Sequence, residues 1–209
     1  DGDPPAGYQW DRWLGPAPKV SFNRSRLSSA WWFSYSGGMM TNWAVHHIDI
    51  ILAAMKATAP TAVNCSGGKF FVDDLADTPD TTEATWEFPD FVMQFRYRGF
   101  NNFHTIPSRP YHHGICFHGD RATMVLDRSG YEIWEDSDPS RSIEKESNPR
   151  YYRDDKPVKE VDGPRQRTFL DCIKEGQRPP LDILRSNEAT GCCHLENLSY
   201  LSGRKIHWN

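Results

Sequence analysis

Gly37-Gly38-Met39-Met40-Thr41-Asn42-Trp43-Ala44-Val45-His46-His47-Ile48-Asp49-Ile50-Ile51-Leu52-Ala53-Ala54-Met55 carries the clearest helical rhythm in the chain. Val45, Ile48, Leu52 and Met55 fall at i, i+3, i+7 and i+10, and Ala44 and Ile51 widen the stripe. That pattern predicts a helix packed by one face on a core. Thr41 is placed to cap it. A second strip runs beside the first: Asn42, His46 and Asp49 at i, i+4 and i+7. At 100° per residue they cluster within about 60°, rotated away from the apolar stripe.

Outward from this helix the pattern changes. Pro4, Pro5, Pro16 and Pro18 break any long element before residue 37, although Tyr8, Trp10, Trp13 and Leu14 can anchor the segment by packing. The aromatic run from Trp10 to Trp32 could stack on a sugar ring, but packing is the favoured reading. After Pro60 come short alternating segments. Ala62–Cys65 and Lys69–Val72 flank Ser66-Gly67-Gly68; Thr82–Phe88 and Phe91–Tyr97 flank Pro89-Asp90; Gly114–His118 and Ala122–Asp127 flank Gly119-Asp120; Gly130–Trp134 follows. These are hairpin signals. Residues 136–156 read as a solvated loop, Val158–Val161 as a last strand, and Pro164–Glu175 and Asn187–Leu201 as helices. The expectation is one α+β domain over 1–209: irregular 1–36, helix 37–56, sheet 60–161 and C-terminal helices 164–209. Its large, mostly antiparallel sheet carries helices on one face. Trp86, Phe88, Phe91, Met93, Phe95 and Tyr97 would make the other face an apolar patch. That predicts a homo-oligomer, dimer or tetramer, packed sheet to sheet.

Composition narrows the function. The 209 residues hold 24 Lys and Arg against 28 Asp and Glu, a net charge of -4. That balance argues against a nucleic-acid partner. The longest apolar run, Ile50–Met55, is far short of a membrane span. The five cysteines are odd in number and form no C-x-x-C. They read as idle reduced thiols, favouring a reducing, cytoplasmic compartment. No two glycines are spaced G-x-G, and no phosphate-binding G-x-x-x-x-G-K-[ST] occurs. A Rossmann domain is therefore absent from these residues.

His46 is the candidate for chemistry. An imidazole with a pKa near about 6.5 suits proton abstraction from a hydroxyl at neutral pH. From spacing alone, a capping, packing or surface role is the commoner fate of a helical histidine. His47-Ile48-Asp49 matches the H-x-D of an iron facial triad, but on a helix the two side chains diverge by about 200°, and no metal is expected. Asp73, Asp74, Asp77 and Asp80 read as a solvated turn, with a polar pocket or a cation as the other readings. Arg109 with Tyr111, His112 and His113 could contact a polyol, and a plain loop is equally open.

These residues together resemble the C-terminal domain of the glucose-fructose oxidoreductase / inositol dehydrogenase / MocA family. The resemblance runs through Trp10-Asp11-Arg12-Trp13-Leu14-Gly15-Pro16-Ala17-Pro18, Trp31-Trp32-Phe33, the 37–49 stretch and Gly67-Gly68-Lys69-Phe70-Phe71-Val72-Asp73-Asp74. It continues with Asp77-Thr78-Pro79-Asp80-Thr81, Phe117-His118-Gly119, Cys193-His194-Leu195-Glu196-Asn197 and Gly203-Arg204-Lys205. It implies the substrate-binding and oligomerisation domain of an NAD(P)-dependent oxidoreductase acting on a sugar, inositol or related polyol. His46 falls on the family's catalytic histidine and Asn42 on the position four residues before it, which is Asp in inositol dehydrogenase-like members. His47, Asp49, Arg109 and His112 are the expected substrate contacts beside Asn42. NAD or NADP is implied for the full-length enzyme, with none expected on this chain alone. The alternative is a stand-alone, non-catalytic carbohydrate-binding or oligomerisation module.

Overall fold

The computed structural model describes residues 2–101, 113–138, 140–147, 163–180 and 182–208. The chain divides into two compact units, residues 1–101 with 181–209, and residues 102–180. The α+β class and the antiparallel pairing are as expected, but the strands form two four-stranded sheets instead of one large one.

In the first unit, a short helix α1 (Trp10–Leu14) and two single 3-10 turns precede α2 (Val45–Met55). Strands β1 (Ala62–Gly68), β2 (Thr81–Glu87) and β3 (Val92–Arg98) follow, all antiparallel. Alternation decides which face is covered. Val63, Trp86 and Met93 form one cross-strand row, and Cys65, Ala84 and Phe95 the next. These rows pack against Ala44, Ile48 and Leu52 of the helical segment and Ala189, Cys192, Cys193 and Leu195 of the last helix. The buried stripe is thus i, i+4, i+8, and Met55 stands outside it, 40% exposed.

This overturns the expected apolar open face. Trp86, Phe88 and Met93 are buried, with Phe91 and Phe95 packed against the same core. The opposite face carries Asn64, Glu83, Gln94, Arg96 and Arg98, and Glu83 pairs with both arginines. The aromatic set lies on the helix side because the aromatics of β2 and β3 all share one parity, and α2 and the last helix cover it.

After α3 (Gly163–Glu175) of the second unit comes the last helix, α4 (Ile183–Ser202). The Asp182 carboxylate accepts from the N–H of Leu184 at its start, and Gly203 ends it in a left-handed conformation. These are ordinary N-cap and C-cap devices. Strand β8 (Ile206–His207) then pairs with β1.

The second unit is a meander of β4 (Ile115–His118), β5 (Ala122–Asp127), β6 (Gly130–Glu135) and β7 (Ser142–Ser147), with α3 (Gly163–Glu175). β7 lies inside the stretch expected to be loop. Its sequence, Ser-Ile-Glu-Lys-Glu-Ser, has one apolar residue, and five of its six positions are exposed. An edge strand needs a single ladder partner and stays soluble when charged, so its composition hides it. The strand expected at Val158–Val161 lies outside the described residues. No helix among the described residues is long and apolar enough to cross a membrane.

Candidate functional site

The expected helix over 39–55 is two helices in series. Met40–Ala44 is a π-helical turn, and the α-helix proper begins at Val45. Such wide turns cost regular hydrogen bonding and recur at functional sites. A wider turn also rotates less per residue, so the four-residue offset from Asn42 to His46 comes closer to one full turn. Asn42 therefore stands nearly above His46. Both are exposed, on the side away from buried Ala44, Ile48 and Leu52. The indole of Trp43 meets the imidazole edge-on, with centroids 6.3 Å apart.

Thr41, expected as the cap, lies inside the π turn. Its hydroxyl donates back to the carbonyl oxygens of Ser36 and Gly38, and no side chain caps either helix. The turn is launched by Gly37 and Gly38, both at positive φ (98° and 79°). A Cβ on Gly37 would stand 2.6 Å from Asn197 Nδ2, and one on Gly38 would stand 2.9 Å from the Thr78 side chain. Conformation and space both demand glycine here.

Two segments hold this turn and the residues just before it, and a third is organised beside them in sequence. Asn197 of α4 donates to the Gly37 carbonyl at 2.9 Å. Thr78, 4% exposed, donates to the Trp31 carbonyl at 3.2 Å, and Asp77 accepts the N–H of Phe33 at 2.8 Å. Lys69–Val72, expected as a strand, is a loop wrapped on Asp80. That carboxylate accepts from the N–H groups of Phe70, Phe71 and Val72 at 2.7–3.2 Å and from the Thr81 hydroxyl at 2.8 Å. Burial opposes its ionisation, but the backbone donors and Thr81 outweigh it and hold the acid at about 2. The acidic stretch is therefore an organised loop rather than a merely solvated turn, with Lys69 bridging the Asp74 side chain and the Ala76 carbonyl.

Asp80→Ala is expected to cost about 2 kcal/mol at neutral pH, the scale of hydrogen bonds to a charged group once water replaces part of them. Because the folded acid lies below its ordinary 3.8, its stabilisation is present above that value and disappears as pH falls toward about 2. Urea unfolding of both proteins should show the gap at pH 7 closing over that acid window.

Of the other expected contacts, two are described. Asp49, half-buried, faces Arg185 of α4, with Oδ1 3.7 Å from Nε. This pair joins α2 to α4. His47 is half-buried. Arg109 and His112 lie outside the described residues. Arg185, Asp80, Asn197 and Glu196 were not singled out by sequence reasoning as site residues. Each acts through a partner more than 8 positions away or on another element, so no local spacing marks it. Among the described residues no three His, Cys, Asp or Glu side chains are grouped to hold a metal ion.

The N-terminal aromatics form their own small core. Trp10 stacks on Trp13 at 4.7 Å and donates from Nε1 to the Val20 carbonyl, and Arg26 lies over Trp32 at 4.0 Å.

No family model matches the chain, and no curated protein sequence matches it. Solved structures do. The chain is similar to an oxidoreductase from Thermotoga maritima (TM-score 0.62, 12% identity, covering 91% of this chain and 52% of that one). It is also similar to a levoglucosan dehydrogenase in complex with NADH and levoglucosan (0.61, 17%, 87% and 53%). A third is an oxidoreductase from Agrobacterium radiobacter in complex with NAD+, L-tartaric acid and magnesium (0.58, 11%, 81% and 49%). The chain spans about half the length of each of these structures. It has the α+β fold that makes up about half of these oxidoreductases.

Proposed function

We propose that the chain is the substrate-binding domain of an NAD(P)-dependent oxidoreductase of the glucose-fructose oxidoreductase / inositol dehydrogenase / MocA type, acting on a sugar, inositol or related polyol. The observation that carries this reading is the π turn that sets Asn42 above an exposed His46, in a fold shared with a dehydrogenase holding NADH and levoglucosan. His46 takes the hydroxyl proton, and Asn42 orients the hydroxyl or the imidazole through its amide. A dinucleotide supplies the hydride acceptor. Among the described residues no strand runs through a glycine-rich turn into a helix, the arrangement that cradles a dinucleotide. Its contribution is the substrate side. The apolar face that argued for a homo-oligomer is covered by helices, and that ground for assembly is gone.

The test is a titration of histidine-labelled chain with sugars and inositols, followed by NMR. A polyol substrate is expected to shift the His46 ring resonances saturably at millimolar concentration, with the response lost in Asn42→Ala. A saturable response that spares His46 and Asn42 would favour the non-catalytic carbohydrate module instead. No response to any polyol would sink both.

A further inference from the structure

Beneath the Gly37–Gly38 turn lies a small cavity of about 10 Å³, lined in part by Gly37, Gly38, Thr82, Tyr97, Glu196 and Asn197. That is room for one water molecule. Glu196 is 1% exposed. Its Oε1 accepts the thiol proton of Cys65 at 2.8 Å, while Oε2 is buried and has no partner among the protein atoms. A buried carboxyl oxygen left unpaired is costly, and such oxygens are normally satisfied by protein or by ordered water. The unpaired atom belongs to a residue that lines the cavity.

We propose that this cavity is a buried water site built on the uncharged acid of Glu196, and that the acid proton keeps α4 seated against the turn that launches the candidate helix. The proposal does not depend on what the chain binds or catalyses. A neutral carboxyl can donate one hydrogen bond to a water, and that water has polar neighbours in the glycine turn and the Thr82 and Tyr97 side chains. Asn197, next in sequence, holds the Gly37 carbonyl. Any loosening of Glu196 therefore reaches the turn directly.

The surroundings disfavour the charged form. Burial pushes the Glu196 acid up to about 7, and the hydrogen bond from Cys65 offsets this only in part. From β1 the Cys65 thiol faces it, raised first by burial and then by Glu196 itself, so it stays protonated and donates. From β3 comes Tyr97, raised by burial and by Asp80. On its own helix, Cys193 and Tyr200 are both raised, burial being the first cause in each. β2 contributes uncharged Thr82, and the turn contributes Gly37, Gly38, Met39 and Met40. Asp80 acts on the two tyrosines, raising Tyr97 and, with Glu196, Tyr200.

The sign of the pH dependence follows. The folded acid is raised above its ordinary 4.5. Its contribution is complete below that value, declines as pH rises toward about 7, and changes little beyond. Over that window each pH unit is worth up to about tenfold in the equilibrium for opening.

The experiment uses the 209-residue chain with carbon-labelled glutamate carboxyls, followed by NMR from pH 4 to pH 9. One glutamate should titrate near 7 and be missing from Glu196→Gln. Amide exchange at Gly37–Met40, corrected for intrinsic base catalysis, should accelerate by up to about tenfold per unit between pH 5 and pH 7. At pH 5 these amides, or the Asn197 side chain, should show a long-lived water contact. The melting temperature of the wild type should fall from pH 5 to pH 8 by about 5 °C or more relative to Glu196→Gln. Titration of every glutamate in the ordinary carboxylate range overturns the proposal. So does pH-independent corrected exchange at the turn, and so does the absence of a long-lived water. If Glu196→Gln fails to fold, the wild-type titration and exchange decide alone.

Discussion

Trp86→Ala is expected to destabilise the first unit by about 3–5 kcal/mol, the range for deleting a large aromatic side chain from a core. Trp86 is fully buried in the central row of the sheet, between Val63 and Met93. It belongs to the same buried cluster as residues of both covering helices, and its Nε1 donates to the Cys192 carbonyl at 3.0 Å. Alanine would leave a hole that neither the sheet nor α4 can close without breaking its own hydrogen bonds. Since whole domains are stable by about 5–15 kcal/mol, the variant should be near its unfolding midpoint at mild temperature. Urea unfolding followed by circular dichroism reads this directly. Trp86→Phe, which fills most of the space and loses one hydrogen bond, should retain much of the stability. A loss under about 1 kcal/mol for the alanine variant would mean that the indole does not fill this core.

His46→Ala is expected to lower kcat by about 10²–10⁴-fold in an enzyme where this domain is paired with a dinucleotide-binding domain, the usual contribution of a positioned general base. KM should move far less, because an exposed imidazole on a helix contributes little uniform binding. The exposure of His46 means that its loss costs little stability, so a misfolded variant is not the expected explanation of inactivity. Unchanged kcat in His46→Ala would remove the histidine from the reaction, even if polyols still bound beside it.

What the sequence exposed and what it hid have physical causes. The helix at 45–55 was legible because its apolar residues repeat with the period of the element they build. The pairing of β2 with β3 was legible for the same reason, at period two, with Pro89-Asp90 between them. The covered face of that sheet was not, because alternation shows that two faces differ and is silent about which one a distant helix will cover. β7 was missed since a charged edge strand has no hydrophobic period. The loop at 69–80 was misread because Lys69–Val72 has strand-like residues, whereas its shape is dictated by one carboxylate eight to ten positions downstream. The candidate site shows the same division. Asn42 and His46 were found from local spacing. The π turn, the Asp49–Arg185 pair and the bracing by Asn197 depend on tertiary contacts that no spacing encodes.

The order of β8, β1, β2 and β3 in the first sheet has a consequence for how the chain is made. β1 lies between β2 and β8, and Val63 pairs with both Trp86 and Ile206. The second unit, by contrast, is one uninterrupted length of chain. During synthesis it leaves the ribosome entire and can collapse by short-range pairing, while β1 to β3 still wait for α4 and β8. Until then the Trp86 face has only α2 to cover it. Molecular chaperones would meet this protein as a finished hairpin meander and a half-covered aromatic sheet.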